Sequence, residues 1–301
     1  MAEIEKQISI DAIEDRLSEV ASEASYTVSW IKDKSGQPVS LSLPNYEGAG
    51  WAVKWALISH NAHRVELRSA ERALRGMYAK GNMLSLEELE NFFKWYADML
   101  QFYQLHLTFE EEIVFPLIKK RVREYRETFG KGEVPQEIVD YLKELPEVDQ
   151  HVQISLRLNA MKNQAEMIGK YEPYKIARNL IKIMAETIVL DVQNLKQEET
   201  YCYYLLSRFG NADKDQKYLD RELVKYHTKR IGMHKAITVG MSLVHASQDA
   251  ECRDDLDDRL AQKWHEKFIA RGAHKAGKKR RDYLKPLLVA ADMNPKVVPA
   301  F

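Results

Sequence analysis

The stretch His106-Leu107-Thr108-Phe109-Glu110-Glu111-Glu112-Ile113-Val114-Phe115-Pro116-Leu117 decides how this sequence reads. It belongs to a segment whose inward line runs Phe92, Tyr96, Met99, Tyr103, His106, Glu110, Ile113 and Leu117. Apolar residues recurring every three or four positions mark the core face of an α-helix. His106 and Glu110 interrupt that face with two polar groups one turn apart, so their side chains share a side. A buried carboxylate is costly unless it is paired or bound to a metal. An imidazole and a carboxylate at this spacing can both reach one ion. The alternative is a His–Glu hydrogen bond or a solvated face, and the two-residue pattern alone arises often by chance.

The flanking segments predict more helices of the same kind. One spans about 51–78 and stops at Lys80-Gly81-Asn82. The His106 segment starts at Ser85, where Ser85-Leu86-Glu87-Glu88 is a capping box, and runs to about 128. A short helix over 135–145 precedes a third long one from Pro146 to Gly169, and a fourth runs from Pro173 to Gly210. Long helices joined by short loops pack as antiparallel neighbours. The expectation is therefore an all-α protein: an antiparallel four-helix bundle over 50–211, an N-terminal helix and loop over 1–49, and a helical extension over 212–301. Within those flanks the periodicity predicts helices over 8–23, 213–229, 233–246 and 249–271, and a loop over 32–50. The extension is expected to pack on the bundle, because so few residues make a marginal core alone.

Polar residues also break the inward lines of the other helices. The fourth reads Leu180, Met184, Thr187, Asp191, Asn194, Glu198, Tyr201 and Leu205. His151 lies with Val148, Ile154, Ser155 and Leu158 on the third helix. His60 lies with Val53, Leu57, Leu67 and Leu74 on the first, with His63 partly sharing that face. A single histidine on an apolar face is more often core than ligand. One on each of three helices, with carboxylates on two, suits a non-haem di-iron or di-manganese site inside a bundle.

These segments resemble the hemerythrin family. The stretch from His106 to Leu117 is similar to its signature of a His four residues before a Glu pair, followed by aromatic-Pro-Leu. His60-Asn61-Ala62-His63-Arg64-Val65-Glu66-Leu67 resembles the opening "H-x-x-x-R-x-x-L" helix, which selects His60 over His63. Asp149-Gln150-His151 resembles the third-helix histidine, and Asn194-Leu195-Lys196-Gln197-Glu198-Glu199 resembles "H-L-x-x-E-E". The resemblance covers about residues 50–210. It implies metal ligands at His60, His106, Glu110, His151 and Glu198, with Asn194 at a position where the family has histidine. Ser155 stands where oxygen-carrying members have a second third-helix histidine. Beyond the bundle, Glu222-Leu223-Val224 through Arg230-Ile231-Gly232, then Met241 to His245, resemble an extension of some plant members.

Composition bounds the remaining classes. The chain has 301 residues, 45% hydrophobic, with 45 basic against 45 acidic side chains, so nothing draws it to nucleic acid or an acidic membrane. The N-terminus lacks an apolar signal region, and no run is long enough to span a membrane. Two cysteines, Cys202 and Cys252, permit one disulfide at most. A cytoplasmic protein is expected. Lys278-Lys279-Arg280-Arg281 admits a nuclear signal, although a solvated basic tail is the simpler reading. Tyr201, Tyr203 and Tyr204 beside Cys202 read mostly as packing. Gly130-Lys131-Gly132 lacks the phosphate-loop pattern, and no nucleophile–base pair stands out. Three functions follow: binding or sensing of iron, oxygen or nitric oxide at a di-metal centre; a metal-free scaffold on the same fold; or a di-iron oxidase. The first is favoured, with a metal ion and a small gas as partners, iron as cofactor, and no protein partner named.

Overall fold

The computed structural model describes residues 26–44, 48–130, 134–236, 240, 266–295 and 299. It is mostly helical. Helix α1 (Trp51–Lys80) ends where Gly81 takes a positive φ of 53°, a conformation that favours glycine. Helix α2 (Leu86–Phe109) begins with the expected capping box: the Ser85 hydroxyl accepts from the Glu88 amide, and the Glu88 carboxylate accepts from the Ser85 amide. It continues through a π-helical segment, Glu110–Val114, into α3 (Phe115–Phe129). Then come α4 (Gln136–Glu144), α5 (Pro146–Asn163) and α6 (Pro173–Gln197), the last two with proline in the first turn. Helix α6 passes through a second π-helical segment, Glu198–Cys202, into α7 (Tyr203–Phe209). Helices α8 (Ala212–Ile231) and α9 (Glu266–Met293) follow.

The apolar core has two parts. One gathers Leu67, Leu74, Phe92, Met99, Ile154 and Met184, and the other Leu57, Phe109, Phe115, Tyr203 and Leu206. On α1 the division falls between Leu57 and Ala62, and on α2 between Leu107 and Phe109. A polar layer occupies that division.

Three expectations need correction. Residues 32–50 were expected as a loop and no strands at all, yet β1 (Thr27–Lys32) pairs antiparallel with β2 (Pro38–Ser40). A register irregularity between Val28 and Lys32 buries Val28 and Ile31, three residues apart, so the alternation that announces a strand is absent. The hairpin is tied to α1 by Tyr26 and Trp30, which donate to the two Glu71 carboxylate oxygens at 2.7 and 2.8 Å. Second, the basic stretch is not a tail, although Lys278 and Lys279 are exposed. It lies within α9, which packs on α1 and α2, and Arg280 is buried in a two-pronged ion pair with Glu66 at 3.0 and 2.9 Å. Third, the helix expected to end at 271 runs on past Pro286 to Met293. The contact between α1 and α9 is close: a Cβ on Gly76 would stand 2.0 Å from the Leu287 carbonyl oxygen. Helix α8 also packs on α1 and α2. The helix expected over 8–23, and most of those over 233–246 and 249–271, lie outside the described residues.

Candidate metal centre

The two π-helical segments build the site. Each begins at a glutamate that the sequence placed inward, Glu110 or Glu198. Each glutamate follows a polar residue one turn earlier, His106 or Asn194, and precedes a second glutamate, Glu111 or Glu199. A π turn adds a residue to the helical repeat and re-aims the side chains around it, and such turns are frequent at functional sites. Here the first glutamate of each pair enters the interior, and the second holds a histidine from another helix. The Glu199 carboxylate lies 2.8 Å from His60 Nδ1, and Glu111 lies 3.0 Å from His151 Nδ1.

With Nδ1 anchored, both rings present Nε2 to the interior. His60 Nε2 is 3.3 Å from Glu110 Oε1 and 3.6 Å from Glu198 Oε2. His151 Nε2 is 2.7 Å from Glu198 Oε1 and 3.8 Å from Glu110 Oε2. His106 Nε2 lies 3.3 Å from Glu110 Oε2, out of alignment for a hydrogen bond. Two sets of potential ligand atoms result, His60–His106–Glu110 and Glu110–His151–Glu198, each with its atoms within 4.8 Å of one another. Metal–ligand bonds of about 2 Å span ligand atoms up to about 4 Å apart. Glu110 belongs to both sets. All six residues singled out by the sequence are buried at 4% exposure or less, Asn194 included. Asn194 is fully buried, and both of its side-chain polar atoms lack a hydrogen-bond partner.

The electrostatics follow from burial set against close partners. Burial pushes the His60 imidazole down, but its hydrogen bonds to Glu110 and Glu199 prevail and hold it at about 10. His151 reaches about 10 in the same way through Glu111 and Glu198. His106 gains too little from Glu110 to offset burial and falls to about 3, so it is neutral. Burial raises Glu198, and the neighbouring Glu110 charge adds to it. Glu110, although buried, is held below the usual carboxylate range by the surrounding imidazoles. Burial is outweighed for Glu199 by Arg64, which grips both carboxylate oxygens at 2.8 and 2.9 Å and brings it to about 2.

Three unpartnered atoms, His106 Nε2, Glu110 Oε2 and Glu198 Oε2, lie in this interior. Unpaired buried polar atoms are rare and call for a specific explanation. Imidazole nitrogen with carboxylate oxygen is a donor set that suits a divalent transition metal, so the residues present fit such an ion.

The roles of several residues at the site escaped the sequence reading. Arg64, Glu199 and Glu111 matter only through contacts across helices. Tyr203 was grouped with packing tyrosines, but its hydroxyl donates to Glu110 Oε1 at 2.6 Å. The neighbouring Cys202 is a free, buried thiol that burial holds well above its ordinary range. His63, passed over in favour of His60, is fully buried beside His106. Burial holds it well below the usual imidazole range. No family model, no curated protein and no solved structure matches this chain.

Proposed function

We propose that this chain is a hemerythrin-like protein, with residues 50–211 as an antiparallel four-helix bundle around a non-haem metal centre. The centre would hold iron, as one ion or a pair, and serve to bind or sense iron, oxygen or nitric oxide. The observation that carries this reading is the pair of ligand-distance sets sharing Glu110, with His106 Nε2, Glu110 Oε2 and Glu198 Oε2 left unpartnered in a buried interior. His60, His106, His151, Glu110 and Glu198 are the residues that would hold the metal, and Glu110 is the one that would join two ions. Bound iron would supply the affinity for a diatomic ligand. The chain's own residues orient the donors: Glu199 and Glu111 fix the tautomers of His60 and His151, and Tyr203 steadies Glu110. Asn194 offers only a neutral amide where the family resemblance has imidazole.

A second reading, a metal-free scaffold on the same fold, draws support from Asn194 and from the direct hydrogen bonds that His60 and His151 already make to carboxylates. Anaerobic titration of chelator-treated protein with ferrous iron, followed by calorimetry, separates the two. The metal-centre reading expects a saturable heat at one or two equivalents. A featureless titration belongs to the scaffold. Azide or nitric oxide added to the loaded protein should then produce a new visible absorption band if the centre admits small ligands.

A further inference from the structure

His63 stands one turn beyond His60 on α1 and is fully buried. Its ring stacks on Tyr103, with centroids 3.9 Å apart, and meets His106 edge to face at 4.4 Å. Neither of its ring nitrogens has a hydrogen-bond partner. Stacking explains a flat ring at this place but not an imidazole, because phenylalanine would stack without burying two unsatisfied polar atoms. Two further observations bear on what satisfies it. His106, the ring it touches, has an unpartnered Nε2 facing Glu110. Across the interior, Asn194 occupies on α6 the place one turn before a π-segment glutamate that His106 occupies on α2. The layer is therefore short of an imidazole on one helix and holds an unused one on another.

We propose that His63 is a ligand of the metal centre, supplying from α1 the imidazole that Asn194 does not supply from α6. This rests on the metal-centre reading above. The nitrogens of His63 stand outside the two ligand-distance sets, so ligation requires its ring to turn about its side-chain bonds toward the ion. A histidine at this place gives the centre four imidazoles, three of them from α1 and α2. It would favour a borderline transition metal, iron, cobalt or zinc, over calcium or magnesium.

Cobalt(II) is the probe, because its visible absorption responds to the number of nitrogen donors. Wild type, His63→Phe and His63→Ala are titrated with cobalt(II), and the melting temperature of each is measured without metal. His63→Phe keeps the stacking on Tyr103, so its metal-free melting temperature should equal or exceed that of wild type. It should bind cobalt at least about tenfold more weakly, with an altered visible spectrum. His63→Ala should lose affinity similarly and regain it when free imidazole is added. This second variant keeps the test intact if the phenylalanine ring does not fit. Wild-type affinity and an unchanged spectrum in His63→Phe, or no effect of imidazole on His63→Ala, would overturn the proposal and leave the metal-centre reading standing. Wild-type protein that binds no cobalt and no iron would overturn both.

Discussion

Glu199→Leu is a perturbation whose effects on stability and on the metal centre can be separated. Arg64 is 5% exposed and always charged, and both of its ion-pair contacts go to Glu199. Removing that carboxylate leaves a buried guanidinium whose one remaining side-chain partner among the described residues is Asn61 Oδ1 at 3.2 Å. Breaking a buried pair from one side costs about 3–5 kcal/mol. For a chain of this size that lowers the melting temperature by roughly 5–8 °C. The double variant Glu199→Leu with Arg64→Met removes both charges. Apolar replacement of a buried pair is often neutral or stabilising. What remains is the loss of the Nδ1 anchor of His60, about 1–3 kcal/mol. The double variant should therefore recover most of the stability in a urea melt of metal-free protein. It should not recover metal affinity: without Glu199 the His60 ring is unanchored, and both variants should bind iron about 10–100-fold more weakly than wild type. A single variant that costs less than about 1 kcal/mol would show that the pair is effectively solvated. A double variant with wild-type affinity would refute the anchoring role.

Three further outcomes are expected. Asn194→His should raise iron affinity by about tenfold or more, read by competition with a chelator, because imidazole suits iron better than an amide. Gly76→Ala should lower the melting temperature, at about 1–3 kcal/mol, since its Cβ would meet the Leu287 carbonyl at 2.0 Å; alanine usually stabilises a helix interior, so a rise in melting temperature would refute the close α1–α9 contact. Burial opposes the protons on His60 and His151, but their glutamate partners raise both to about 10, above the ordinary 6.5. Their contribution to the metal-free protein is therefore complete below about pH 6.5 and lost as pH rises through 10. The metal-free melting temperature should fall between pH 7 and pH 10 while iron affinity climbs, by up to about tenfold per pH unit for each proton displaced. Affinity independent of pH would contradict protonated imidazoles at the site.

Much of this architecture was legible because its signals are local. The Ser85–Glu88 box, the prolines at 146 and 173 and the glycine at 81 set helix ends through contacts within a few residues. The six inward polar residues were legible because helical spacing fixes which side of a helix each occupies. What spacing cannot give is the partner across the interior. Arg64 and Glu199 both stand in the quoted motifs, but spacing does not pair them, and Arg280 looks like a tail residue until α9 lies along α1 and Glu66. The hairpin was missed because its irregular register hides strand alternation and its anchor, Glu71, lies more than forty residues away. His63 was set aside because a motif needing one histidine was already satisfied by His60; only its two unpartnered nitrogens distinguish it from a core residue.

Metal stoichiometry on wild type and His106→Ala tests the central claim most directly. Both proteins are loaded with iron, freed of unbound metal and subjected to elemental analysis. The account predicts one or two equivalents per chain in wild type and a loss of metal in His106→Ala, which removes a ligand from the His60–His106–Glu110 set. Metal-free His106→Ala should also be less stable, because it empties the place of a buried ring packed against His63 and Phe102. Sub-stoichiometric iron in wild type, unchanged in His106→Ala, would contradict the metal centre and leave a hydrogen-bonded polar core.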